Sequence, residues 1–426
     1  MVQRLPIIGQ RIEPEAKLPG SICNVREAAE PATTGQRQLG ERSSQSLTII
    51  FKATECCNAS CVYCSVGDKS SKPERMSLEL ARVFWRRVAE YLRADTKRVV
   101  NVTWHGGEPT LMGADFFNAT RHIIKEELGS DVSRLSHGMQ SNLTLLDDEL
   151  IEELRLLGLQ SVGTSYEYAE GLRGLGPRTD WKEYNRRFFE GLARLRRHGM
   201  GVGAIYVVTA RTVDRPEQTM IFLQNLLGKA GFGQFRINAL YHEGEATLSA
   251  NAELAVTPEQ FGNFLGRAFV HWYPRRQLLS GVAPFQGIYL ALTGNSRWLS
   301  CEEAGQCGTT HVAVSPTGEI YQCGRSVDNG SFRYATLAEC SFDEVFELSA
   351  KRELIERSKR LQESQCKECT IWAYCHGGCP IDSRIYHGDP YHKTFFCESR
   401  RIFIEQYVQP LLRKEGLLAD HPDHPQ

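Results

Sequence analysis

The sequence predicts an α/β protein: an open, six-stranded partial barrel of parallel strands followed by a cysteine-rich module. Three observations carry this expectation. Short strand-like segments alternate with helical patterns from residue 47 to about residue 250, six such strand signals are present, and nine of the 14 cysteines lie after residue 300. Strands that alternate with helices of about 10 to 15 residues imply crossover connections and therefore a parallel sheet.

The elements follow in order. Residues 1–46 are rich in Gln, Arg, Glu, Pro and Gly with no sustained period, so they read as an N-terminal extension, extended or partly disordered. Residues 47–52 form the first strand. Ser77 then opens a helix in which Leu80, Val83, Phe84, Val88 and Tyr91 keep helical spacing. Further strands are expected at 98–104, 135–140, 160–165, 202–209 and 234–240, with helices at 114–128, 147–157, 181–197 and 216–227 between them. The barrel thus spans 47–250. A bridging region, 251–300, holds a helix at 257–273 and an apolar segment at 274–300. The cysteine-rich module spans 301–400. Residues 401–426 carry a closing helix at 401–414 and a tail of His, Pro and Asp from residue 420, whose histidines are incidental to metal binding.

Composition narrows the function classes. A 426-residue chain with 41% apolar and 24% charged residues is ordinary for a globular protein, and a net charge of -1 offers no bulk attraction to nucleic acid or anionic membranes. The N-terminus has no signal-peptide apolar core, and no stretch reaches the ~18 apolar residues of a membrane span. The expected location is the cytoplasm, with no nucleic-acid or membrane partner. In that reducing compartment, 14 cysteines argue for metal or catalytic sulfur rather than disulfides.

Cys57, Cys61 and Cys64 are spaced C-x3-C-x2-C directly after the first strand. Iron-sulfur clusters are ordinarily held by four cysteines, so three thiolates would leave one iron without a protein ligand. A zinc site or three buried thiols are the other readings of this spacing alone. Gly106-Gly107-Glu108-Pro109 follows the second strand. Sites in parallel α/β sheets form at the carboxyl ends of the strands, which puts both motifs on one rim.

With these motifs the chain resembles the radical S-adenosylmethionine (SAM) enzymes. The resemblance implies a partial (β/α)6 barrel, a 4Fe-4S cluster whose open iron is chelated by the amino and carboxylate groups of SAM, and cleavage of SAM to a 5′-deoxyadenosyl radical. It also implies a low-potential electron donor such as flavodoxin or ferredoxin. Glu108 would accept from the SAM ammonium, while Gly106 and Gly107 let the backbone approach the ligand. Tyr63 matches the family's aromatic near the adenine. Gln140, Ser141 and Asn142 at the end of strand three, Ser165 at the end of strand four, and Arg173 match positions that touch the ribose, hydroxyls or carboxylate of SAM. Each also reads as a cap or a solvated group. Val207 would pack on the adenine or be plain core.

A second cysteine signature occupies the C-terminal quarter. Cys307, Gly318 and Cys323 stand as C-x10-G-x4-C, and Cys366, Cys369, Cys375 and Cys379 as C-x2-C-x5-C-x3-C, with Cys397 beyond and Cys301 six residues before Cys307. The layout resembles the SPASM domain appended to peptide-modifying radical SAM enzymes. The resemblance implies one auxiliary cluster on Cys301, Cys307, Cys323 and Cys379 and another on Cys366, Cys369, Cys375 and Cys397, making three 4Fe-4S clusters. A zinc ribbon at 366–379 is the competing reading. Cys23, Cys56 and Cys340 have no assigned role.

Fully ligated clusters suit electron transfer, so two of them favour a net oxidation after hydrogen abstraction. The expected substrate is a ribosomally made precursor peptide that receives a side-chain crosslink, such as a cyclophane, another macrocycle or a thioether. This expectation rests on Cys323-Gly324-Arg325, because anaerobic sulfatase maturases place an Asp directly after the matching cysteine. Run 236–241 at strand six resembles the same crosslinking group. The alternatives are a sulfatase maturase making formylglycine and, outside enzymes, an iron-sulfur scaffold or electron carrier. The 46 residues before strand one are too short and polar for a leader-binding domain.

Overall fold

In β1 (Ser46–Thr54), Leu47, Ile49, Phe51 and Ala53 are fully buried with the period of two of a strand, and towards its end Lys52 and Thr54 on the other face are fully buried too. The computed structural model describes residues 46–66, 74–176, 179–294 and 299–418. The expectations for residues 1–45, for Cys23 and for the tail from 420 lie outside these.

α1 (Leu78–Arg93) begins where Ser77 Oγ accepts from the backbone N–H of Leu80, and it lays Phe84 and Trp85 onto the sheet. The Phe84 ring stacks on Phe51 with centroids 4.2 Å apart. The remaining units repeat the pattern: β2 (Val99–Gly106), α2 (Gly113–Leu128), β3 (Leu135–Met139), α3 (Asp148–Leu156), β4 (Ser161–Ser165), α4 (Trp181–Arg197), β5 (Gly201–Val208), α5 (Pro216–Asn225) and β6 (Phe232–Ala239). Asp147 and Asp180 cap α3 and α4 through their side chains. α6 (Pro258–Trp272) opens on a capping box between Thr257 and Gln260.

The strands pair in parallel as β1-β2-β3 and β4-β5-β6, and one parallel bridge, Gln140 to Gly163, joins the two halves. Four more strands extend the expected six. β7 (Val282–Ala283), in the bridging segment just before α7 (Phe285–Leu292), pairs with β6. β8 (His311–Val314) pairs parallel with β1, and β9 (Glu319–Tyr321) and β10 (Arg333–Thr336) continue antiparallel. The cysteine-rich region therefore shares the barrel's sheet. Its short helices α8 (Cys301–Ala304), α9 (Cys307–Thr310) and α10 (Gly324–Asn329) carry or follow three of its cysteines. Among the described residues no helix is long and apolar enough to cross a membrane.

Candidate active site

The carboxyl ends of β1 to β6 surround a cavity with about 1020 Å³ of empty space, open mouth included. Cys57, Cys61 and Cys64 line it from the loop after β1, Gly106 and Gly107 from the end of β2, Gln140, Ser141 and Asn142 from β3, Ser165 from β4 and Val207 from β5, with Tyr63 and Arg173 completing the wall. Of the residues expected around SAM, Glu108 and Pro109 alone are not part of the wall.

The two glycines, besides lining the cavity, allow close approach to the cysteine loop. A Cβ on Gly106, whose φ is +124°, would overlap the Thr54 carbonyl, and one on Gly107 would overlap the carbonyls of Glu55 and Cys56. Gly107 N–H donates to Thr54 O at 3.0 Å and Glu108 N–H to Cys56 O at 2.8 Å. The motif presses the end of β2 against the cysteine loop and so fixes where the three thiols stand.

Glu108 is engaged by the chain itself. It is fully buried, caps the turn Pro109–Met112, and accepts at Oε1 from Thr110 N (3.0 Å), Thr110 Oγ1 (2.6 Å) and Ser141 Oγ (2.9 Å) and at Oε2 from Asn142 N (2.6 Å). A carboxylate accepts about four hydrogen bonds, and here four donors from the chain take them. Burial raises its pKa. Glu108 ties β2's rim to β3's rim. Asn142, held this way, points its amide at Asn58 Oδ1 (2.8 Å) and Cys57 Sγ (3.9 Å).

On the opposite wall, Tyr63 and Arg173 are locked by Glu167, which sequence reasoning missed. Its side chain is wholly buried, accepting from Arg173 Nε at 2.7 Å, Tyr63 Oη at 2.6 Å and Val207 N at 3.2 Å. Arg173 Nη2 also donates to Tyr63 Oη. Nη1 reaches Cys61 Sγ at 3.9 Å. An acidic residue two positions past β4 was the available signal. Gln140 Nε2 donates to the Thr164 carbonyl (2.7 Å) and Ser165 Oγ (3.4 Å), setting Ser165.

A buried charged group behind the cysteine loop was also missed. Lys52 Nζ pairs with Asp328 of α10 and stands 3.8 Å from Glu55, while Ser65 Oγ donates to Asp328 at 2.8 Å. Burial, with the Lys52 ammonium nearby, pushes His105 on the cavity wall down to about 4, so it is neutral and accepts from Gly106 N–H at 2.8 Å.

The C-terminal thiols fall into two groups of neighbours. Burial raises Cys301, Cys307 and Cys379, and within that group Cys307 bears on Cys301 and Cys323 on both Cys307 and Cys379. Burial pushes Cys366 up to about 11, with Cys369, Cys375 and Cys397 adding to it; Cys397 and Cys369 likewise bear on Cys375. Among the described residues no group of three or more His, Cys, Asp or Glu side chains stands close enough to hold a single metal ion. Cys340 packs at the edge of the core.

Residues 51–223 match the radical SAM superfamily. The chain carries a radical SAM domain. Among curated proteins, it is similar to the cysteine-type anaerobic sulfatase-maturating enzyme of Clostridium perfringens, 25% identical over 385 residues that cover 86% of this chain and 97% of the relative. It is also similar to the serine-type anaerobic sulfatase-maturating enzyme of Bacteroides thetaiotaomicron, 24% identical over 84% of this chain and 87% of the relative. In fold, the radical SAM domain and the region after it align with native anSMEcpe with bound AdoMet and Kp18Cys peptide, at a TM-score of 0.70 and 21% identity over 87% of this chain and 98% of that one. Streptococcus suis SuiB bound to precursor peptide SuiA aligns at 0.55 and 15% identity over 84% and 76%.

Proposed function

We propose that this radical SAM enzyme oxidises a side chain of a peptide held at the mouth of the cavity. On this reading it carries three 4Fe-4S clusters: one on Cys57, Cys61 and Cys64, and two in a SPASM-type module on the C-terminal thiol groups. The observation that carries the reading is convergence. Three thiols share one cavity with the ends of β2 to β5, while a second set of thiols lies behind its far wall at Tyr241, which lines the cavity and whose hydroxyl donates to Glu302, next to Cys301, at 2.7 Å.

Bound there, a cluster with SAM on its open iron would supply a 5′-deoxyadenosyl radical that takes a hydrogen atom from the peptide. The chain's own residues orient the ligand. Glu108 acts through Asn142, Glu167 holds Arg173 and Tyr63, and the forked guanidinium of Arg173 suits a carboxylate. A low-potential donor such as flavodoxin or ferredoxin would feed the site.

The relatives favour sulfatase-type oxidation, the conversion of a Cys or Ser side chain to formylglycine, over the crosslink. One local feature favours the crosslink. Gly324 stands where sulfatase maturases carry an Asp, and the nearest carboxylate on the same short helix is Asp328, already engaged by Lys52 and Ser65. Anaerobic incubation with SAM, a low-potential reductant and Cys- and Ser-containing sulfatase peptides tests the choice, with a short precursor encoded beside the gene as the second substrate. An aldehyde product on the sulfatase peptide supports formylglycine formation. A precursor that loses two hydrogens and resists fragmentation across one stretch assigns the crosslink. Substrates recovered unchanged or merely epimerised overturn the oxidative reading.

A further inference from the structure

Arg325 occupies a singular position between the two thiol-bearing parts of the molecule. It lies in α10, two residues after Cys323, and is partly buried, with 18% of its side chain exposed. Its Nη1 donates to Cys379 Sγ at 3.7 Å. Its guanidinium carbon lies 3.8 Å above the centre of the Tyr241 ring. Nε pairs with Glu243 at 2.7 Å and Nη2 with Asp382 at 2.7 Å. Asn329 Nδ2 holds the other oxygen of Glu243 at 2.9 Å.

Tyr241 extends the arrangement. It lines the large cavity and also a second, more enclosed one of about 550 Å³ beside Arg236, Glu302 and Phe396. One guanidinium therefore contacts a sulfur of the Cys301, Cys307, Cys323 and Cys379 group with its edge and the wall of the substrate cavity with its face.

We propose that Arg325 is a positioning residue that sets the reduction potential of the cluster held by Cys379 and keeps that cluster coupled to Tyr241. The proposal rests on the reading that these four thiols hold an iron-sulfur cluster. Hydrogen bonds to ligand sulfur and nearby positive charge stabilise the reduced, more negative cluster and raise its potential. The guanidinium also neutralises Glu243 and Asp382. Without it, two carboxylates would bear on Cys379 and push the potential lower still. A cation stacked on a Tyr face further fixes the ring that separates substrate from sulfur.

The test is EPR-monitored redox titration of the anaerobically reconstituted full chain in a background where Cys57, Cys61 and Cys64 are replaced by Ala, so that the two auxiliary signals are read alone. Arg325→Gln is expected to lower one midpoint by at least a tenfold change in the one-electron equilibrium, about 59 mV. The other midpoint, from the cluster on Cys366, Cys369, Cys375 and Cys397, stays fixed as an internal control. Arg325→Lys, which keeps the charge but loses the fork, should fall between the two. Both midpoints unchanged with full iron content would overturn the proposal. So would loss of about four irons from both Arg325 variants, since that assigns the residue to holding the fold. A background protein without about eight irons and two signals would instead contradict the reading of the thiol groups, whatever the variants do.

Discussion

Lys52 of β1 and Asp328 of α10, 276 residues apart in sequence, form an ion pair with side-chain exposures of 0% and 4%. The pair pins the helix that follows Cys323 to the strand that precedes Cys57. Removing one partner of a buried pair leaves a charge out of water and costs about 3–5 kcal/mol, whereas replacing both by apolar groups is often near neutral. Asp328→Ala should therefore lower stability by about that amount, and Lys52→Met combined with Asp328→Leu and with Glu55→Gln, which removes the second carboxylate beside Lys52, should recover most of it. Urea denaturation of the variants checks this; a triple variant as unstable as the single would show that the pair is not the cause.

Glu108→Ala should cost stability as well as SAM affinity. The variant strips acceptors from two backbone N–H groups and two hydroxyls that are buried with it, worth about 2–4 kcal/mol in total. Denaturation and SAM binding measured on the same preparation decide between the roles. Weaker SAM binding at unchanged stability would return the carboxylate to direct contact with the ligand.

Stability should fall on acidification. Burial pushes His137 down to about 4, as it does His105 and, beside Lys351, His311. A histidine depressed from 6.5 contributes stability that is present above pH 6.5 and is lost as pH falls towards 4, because the unfolded chain takes up the proton first. At pH 5 the loss is about 2 kcal/mol per histidine. His137→Gln should shrink the difference between denaturation at pH 7 and pH 5 by about that much, and an unchanged difference would contradict the assignment.

Long periodic segments were legible from the sequence alone. Trp181–Arg197 shows the expected limits because an Asp cap precedes it and Tyr184, Phe188, Leu192 and Leu195 keep one buried stripe. β7 and β8 were not, since two and four residues carry too little alternation, and their pairing with β6 and β1 is decided by tertiary contact. In the site, cysteine and glycine spacing identified the rim, because backbone approach and ligation constrain residue type locally. Lys52 and Asp328 pair across 276 residues, and Glu167 joins Arg173 to Tyr63 and Val207, 104 and 40 residues away, so spacing carries no trace of these links. Lys52, a cation at the end of an apolar strand segment, was a signal that the sequence reading did not use.

The most direct test of the central claim, an open-iron site at Cys57, Cys61 and Cys64 separate from the C-terminal thiols, is SAM cleavage measured alongside iron content. Reconstituted protein should hold about 12 irons and, with a low-potential reductant, convert SAM to 5′-deoxyadenosine; the variant with all three cysteines changed to Ala should keep about eight irons and make none. Fully loaded protein that leaves SAM intact, or a variant that still cleaves it, would contradict the account.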